Sequence, residues 1–130
     1  MCIRDRLEAE LSELEPLEAE EFLSGLGLAE AGLGRLSRAG HHALRLQTFF
    51  TAGEKEVRAW TVAQGANAKD AAGAIHTDLH KHFIRAEVIH WDTLLAAGSE
   101  AVARSQGTLR LEGKEYIVKD GDVMHFRFNV

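Results

Sequence analysis

Apolar residues recur at helical spacing over the first third of the chain and switch to alternation near residue 45. Leu7, Leu11 and Leu14 predict a short acidic helix over Leu7–Leu14. Pro16 interrupts it and suits the first turn of a second helix, which carries Leu17, Phe22 and Leu23 and stops at Gly25. A third helix is predicted from about Leu33 to Leu44, with Leu33, Leu36, Ala43 and Leu44 as its buried stripe. These helices hold too little apolar surface to form much core by themselves. From Leu46 the chain is rich in β-formers. Leu46–Ala52 predicts a strand, Gly53-Glu54-Lys55 a turn, and Glu56–Val62 a second strand. Along the second strand Val57, Ala59 and Thr61 share one side, and Arg58, Trp60 and Val62 share the other.

The clearest helix follows this hairpin. Asn67 is placed as its N-cap with Asp70 three residues on, and Ala68, Ala71, Ala72, Ile75 and Leu79 mark one face. Small residues dominate that face, so the helix can lie close against a sheet. Ile84–Trp91 alternates as a strand, and Asp92 and Ser99 are placed as caps for short helical turns reaching Gln106. Leu109–Leu111, Tyr116–Val118 and Val123–Phe128 complete the predicted strands, punctuated by Gly113 and Asp120-Gly121. This order predicts an α+β fold: a mixed β-grasp sheet over one main helix, preceded by short helices. A ferredoxin-like sandwich would need two comparable helices, and the second helical region is short and broken at Gly98.

Charge divides the chain near residue 30. The first 30 residues carry Arg4 and Arg6 against nine acidic residues, so the net charge of −5 belongs to the N-terminal segment. The remainder is mildly basic, which permits contact with a nucleic-acid surface without demanding it. The single cysteine, Cys2, allows no intrachain disulfide, which fits a reducing compartment. No apolar run has the length of a membrane span, and residues 1–6 lack the apolar stretch of a signal peptide.

Candidate chemistry is sparse. The glycines of Gly25-Leu26-Gly27-Leu28 and Gly32-Leu33-Gly34 are not completed to GxGxxG, because Glu30 and Ser37 stand where glycine is needed. No GxxxxGK[ST] and no GxSxG occurs. His76 and His80 have the i, i+4 spacing of a metal pair, but the sequence is not HExxH and His82 leaves that face. Phe49, Phe50, Trp60, Phe126 and Phe128 alternate along strands, chiefly as core residues, with one or two available to stack on a base.

Four stretches carry a resemblance. The run from Leu46 to Thr61, including Thr51-Ala52-Gly53-Glu54-Lys55-Glu56-Val57, resembles the start of the C-terminal domain of YchF-type (Obg-like) ATPases. Ala71-Ala72-Gly73-Ala74-Ile75-His76-Thr77-Asp78 and Phe83–Ile89 are similar to that domain's central helix and next strand, and Tyr116–Val130 to its ending. The Ile-His-Thr-Asp element also recurs in TGS domains of threonyl-tRNA synthetases and SpoT-type enzymes. Residues 1–6 do not match and are expected to be a non-native terminus. His41-His42 departs from the family pattern, where a tyrosine would be typical.

The resemblance implies a division into residues 7–45, the helical tail of a nucleotide-binding domain lying elsewhere, and 46–130, a TGS-like domain. It implies a cytoplasmic recognition module that binds the ribosome or ribosomal RNA, with no catalytic, cofactor or metal residues of its own. The family's P-loop ATP (GTP) hydrolysis, with ATP and magnesium, would belong to the full-length parent. The alternative is an intramolecular regulatory domain that docks on that ATPase core in cis. No membrane and no DNA partner is expected. Candidate phosphate contacts are Arg58, Lys69, Lys81 and Arg85, with His80 and His82 adjoining.

Overall fold

The computed structural model describes residues 3–53 and 56–129, with side chains from Asp5 onward. Cys2, the Glu54-Lys55 part of the expected turn, and Val130 lie outside the described residues. The chain divides into two compact units, one up to Leu44 and one from Arg45. No helix among the described residues is long and apolar enough to cross a membrane.

The first unit holds α1 (Ile3–Glu13), α2 (Pro16–Gly25) and α3 (Gly32–Ala43). Pro16 opens α2 behind a capping box of Glu15 and Glu18. α2 ends at Gly25, as expected, with Leu26 as its C-cap. Gly27 takes the left-handed conformation at φ 68°, and the Leu28 N–H donates to Leu23 O at 2.9 Å. Leu11 is the buried hydrophobic side chain of this unit among the described residues. The stripe expected to be buried on α3 is exposed: Leu33 is 73% and Leu36 70% accessible. Helical period identifies a face but not what covers it.

The second unit begins with the hairpin β1 (Leu46–Ala52) and β2 (Val57–Ala63), paired from Leu46↔Ala63 to Ala52↔Val57. Then come α4 (Ala68–Ile75), α5 (Thr77–Lys81) and β3 (Phe83–His90). Short helices α6 (Trp91–Ala97) and α7 (Glu100–Ser105) lead into β4 (Arg110–Glu112) and β5 (Asp122–Phe128). The five strands form one sheet in the order β2-β1-β5-β3-β4. β1 and β5 run parallel and the other neighbours antiparallel. A mixed sheet of this order closed over a main helix is the β-grasp arrangement.

One face of the sheet packs on α4. Phe49, Val88, Met124 and Phe126 meet Ala68, Ala71 and Ala72, each alanine fully buried. With no side chain beyond Cβ, these alanines let the helix backbone approach the strands. Phe49 and Phe126 then pack edge to face with centroids 6.0 Å apart. On the opposite face a smaller cluster joins Ile89 and Val123 to Ala103 of α7.

Three local expectations are corrected. The helix expected to run through to Leu79 breaks at His76, which is extended at φ −159° and ψ 143°. The reason is capping: His76 Nδ1 accepts the Asp78 N–H at 3.1 Å and starts α5 afresh. Tyr116–Val118 is not a strand of the sheet. It makes an isolated bridge from Ile117 to Asn67, and its backbone meets the residues leading into α4: Ala68 N–H donates to Tyr116 O and Val118 N–H to Ala66 O. The buried Asp122 holds it by accepting from the Tyr116 hydroxyl at 2.8 Å and from the Lys119 N–H at 2.9 Å. Lastly, Asp92 does not cap α6. His90 occupies that position and Asp92 hydrogen-bonds its ring, whereas Ser99 does cap α7 by accepting the Val102 N–H.

Candidate nucleic-acid interface

Strand direction decides which candidate cations meet. β1 and β5 end at the same end of the sheet, and β3 starts there, with Phe83 opposite Phe128. The hairpin turn, the exit of α5 and the first residues of β3 therefore share one end. Lys81, His82 and Arg85 lie at this end, whereas Arg58, opposite Thr51, is level with Met124 and Val88 and three strands away from β3. The Asn129 N–H donates to His82 O at 3.2 Å, tying the end of β5 to the exit of α5. Lys69 lies at the other end, in the first turn of α4. His80 is occupied within the α4–α5 pair. Its Nε2 is 3.4 Å from Asp70 Oδ1, and its ring fills the space that a Cβ on Gly73 would need.

These cations do not form one flat patch. Pairing with β1 puts Arg58 on the α4 side with Trp60 and Val62. Alternation along β3 puts Arg85 on the opposite side, beside Glu87. The two therefore stand on opposite faces and three strands apart. The Arg58 guanidinium stacks 4.4 Å from the Trp60 ring centroid, and Trp60 Nε1–H donates to Thr51 Oγ1 at 2.9 Å. Arg58 meets Glu56 only at 3.9 Å, so its planar group is positioned by the indole and open to solvent. Lys69, Lys81 and Arg85 join no ion pair among the described residues. Among the aromatics considered for stacking, Phe49 and Phe126 are core, Phe50 and Trp60 are half-buried, and Phe128 is exposed.

The structure adds cations that the sequence reading did not single out. Arg127 stands opposite Arg85 across β3 and β5, and its Nη2 reaches Glu87 Oε1 at 2.5 Å. Arg104 of α7 reaches the other oxygen of Glu87 at 3.1 Å. His125 is paired opposite Glu87 and is exposed. Alternation of Val123, His125 and Arg127 was a usable signal for the β5 pair. Arg104 had none, because only the fold of α7 onto the sheet brings it there.

Two titratable groups depart from their ordinary values at the opposite end of β3. The hydrogen bond from His90 Nδ1 to Asp92 Oδ1, 2.7 Å long, raises His90 above 6.5 and lowers Asp92 below 3.8. The second ring nitrogen lies 3.2 Å from Asp120 O, a contact that also favours the doubly protonated ring. Tyr116 is raised by burial and by its hydrogen bond to Asp122. Among the described residues no group of three or more His, Cys, Asp or Glu side chains is placed to hold a metal ion.

The mixed sheet and its single main helix define a β-grasp domain. Residues 46–129 match the family profile YchF-GTPase_C, described as a protein of unknown function (DUF933). That is well over half of the sequence, and the chain belongs to the YchF family. It is 60% identical over 124 residues to the ribosome-binding ATPase YchF of Haemophilus ducreyi, covering 95% of this chain and 34% of that protein. The ribosome-binding ATPase YchF of Bacillus subtilis is 53% identical over 125 residues, covering 96% and 34%. The solved Schizosaccharomyces pombe YchF GTPase superposes with a TM-score of 0.80 at 36% identity, over 91% of this chain and 31% of that one. The chain thus spans about a third of the length of the relatives it matches. No GxxxxGK[ST] occurs in its 130 residues, so the ATPase core of those relatives lies outside the matched span.

Proposed function

We propose that this chain acts as the C-terminal recognition module of a ribosome-associated, cytoplasmic YchF-type ATPase. Its cationic end would contact ribosomal RNA phosphates, and ATP with magnesium would be handled by the rest of the full-length protein. The observation that carries this reading is the grouping of Lys81, His82 and Arg85 at one end of the sheet, with Lys81 and Arg85 free of ion pairs among the described residues, and the solvent-open Arg58 on the hairpin as a separate cation. Relatives that share this domain are named ribosome-binding. Lys69, at the other end, and His80, engaged with Asp70, take a lesser part.

Phosphate contacts of this kind release counterions, so binding weakens steeply with salt. Co-sedimentation of the 130-residue chain with purified ribosomes over a salt series tests the proposal. Saturable binding is expected, and Lys81→Gln or Arg85→Gln should each reduce the logarithmic salt slope by about 1. Binding that is absent at low salt, or that is indifferent to both substitutions, refutes it.

A second reading has its own observation. Leu33, Leu36 and Leu44 form an exposed apolar stripe on and just after α3. Such a stripe suits docking on the ATPase core in cis, which would make the module regulatory. That reading predicts ribosome binding only by the full-length protein.

A further inference from the structure

The sheet face opposite α4 carries an apolar groove that the RNA reading does not use. It encloses about 350 Å³ between the hairpin, the start of β5 and α6. Phe50 and Val123 form its floor, and Val57, Trp91, Leu94 and Leu95 its walls. Leu95 is 72% and Val57 73% accessible, so the walls stand open to solvent. Every side chain lining the groove is hydrophobic. A nucleobase placed there would leave its hydrogen-bonding edge almost wholly unsatisfied, at a real energetic cost. An aromatic or aliphatic side chain would not.

Cations continue from one side of this groove. Val123, His125 and Arg127 follow one another on the same face of β5, about 7 Å apart at each step. Arg85 lies opposite Arg127, and Arg104 comes in from α7 to share Glu87 with it. Two of the acids nearby are already engaged, Glu87 by two arginines and Asp92 by His90, and Glu56 lies 3.9 Å from Arg58. Arg85 and His125 are left without an anionic partner among the described residues.

We infer that this face binds an acidic, amphipathic segment of a partner protein. A Phe or Leu of the segment fills the groove beside Trp91 and Leu95, and carboxylates one or two residues away meet His125, Arg127 and Arg85. Arg127 and Arg104 are held in place by Glu87, so little side-chain freedom is lost on binding. The apolar anchor supplies affinity and the cationic strip sets the direction of the bound segment.

The test uses the 130-residue chain and a short fluorescein-labelled peptide in which Phe and Leu are flanked by Glu and Asp, read by fluorescence anisotropy. Binding is expected at about 10–100 µM, weakening with salt. Leu95→Glu should weaken it at least tenfold. Arg127→Gln should weaken it several-fold and flatten the salt dependence. Leu95 is mostly exposed, so Leu95→Glu should melt like the parent chain, which a circular-dichroism trace checks. A peptide with Phe and Leu replaced by Ser should not bind, and single-stranded oligouridine should bind equally to the parent and to Leu95→Glu. The inference is overturned if the first peptide does not bind, if the serine peptide binds equally, or if Leu95→Glu abolishes oligouridine binding instead. Ribosome co-sedimentation of Leu95→Glu separates the two proposals: unchanged sedimentation leaves the RNA contact standing whatever the peptide does.

Discussion

The helical unit up to Leu44 and the β-grasp unit from Arg45 both carry regular apolar stripes, yet they bury them differently. In the first, Leu17, Leu33, Leu36 and Leu44 are all 70% or more accessible, and Leu11 is the buried apolar side chain among the described residues. In the second, Phe49 and Val88 are fully buried and Met124 is 1% accessible. The difference lies in what each element faces. A helix stripe becomes core only when another element covers it, whereas α4 and the sheet cover each other. Apolar periodicity alone therefore reports where stability could come from, and topology reports where it does.

The sharpest way to break this comparison is a pair of matched truncations. Phe49→Ala should cost about 3–5 kcal/mol, because it empties a closed site against Phe126. Leu33→Ala should change stability by no more than about 0.5 kcal/mol. Urea unfolding of both variants measures the contrast, and similar losses would show that the helical unit contributes to a common core.

A smaller contrast uses glycine. Gly121 sits at φ 84°, donates its N–H to Thr48 O at 2.8 Å, and would place a Cβ 2.7 Å from Trp91 Cδ1. Gly121→Ala should destabilise by about 2 kcal/mol, through left-handed backbone strain and the displaced indole. Gly25 ends α2 with open space around it, so Gly25→Ala should be neutral or stabilising by up to about 1 kcal/mol. Thermal melts of the two variants should move in opposite directions or differ clearly in size.

The smallest expected effect is electrostatic. His90 is raised from 6.5 by Asp92, so its contribution is complete below about pH 6.5 and fades as pH rises through its folded value. Asp92 is lowered from 3.8, so its contribution is present above that value and fades as pH falls through the folded one. The pair is strongest between these limits. The stability difference between the parent chain and His90→Gln should shrink from about pH 6 to about pH 8. A difference that stays constant, or that grows with pH, would remove this pair as the source.

Much of the β-grasp unit was readable because its signals were strong and local. Alternation marked β1, β2, β3 and β5 to within a residue or two, and Asn67 was seen correctly as the cap that accepts the Asp70 N–H. Failures came where a local pattern had a tertiary competitor. Tyr-Ile-Val at 116–118 has strand composition, but the buried carboxylate of Asp122 and the entry to α4 take its hydrogen bonds. His76 lies within a helical stripe, but its ring caps the following turn. The candidate interface was legible as a set of basic residues and not as a place.

The order of residues by itself determined the family, the α+β order of elements, the acidic N-terminal segment and the small-residue face of α4. These follow from periodicity, composition and long local motifs, each of which acts within a few residues along the chain. Only the tertiary structure decided that Lys81, His82 and Arg85 stand beside Arg127 at one end, because that depends on β5 returning antiparallel to β3 and on the tie from Asn129 to His82. It likewise decided that Glu87 gathers Arg104 and Arg127, and that an apolar groove opens beside them. Juxtapositions of that kind are set by strand register and chain return, and no short window of sequence contains them.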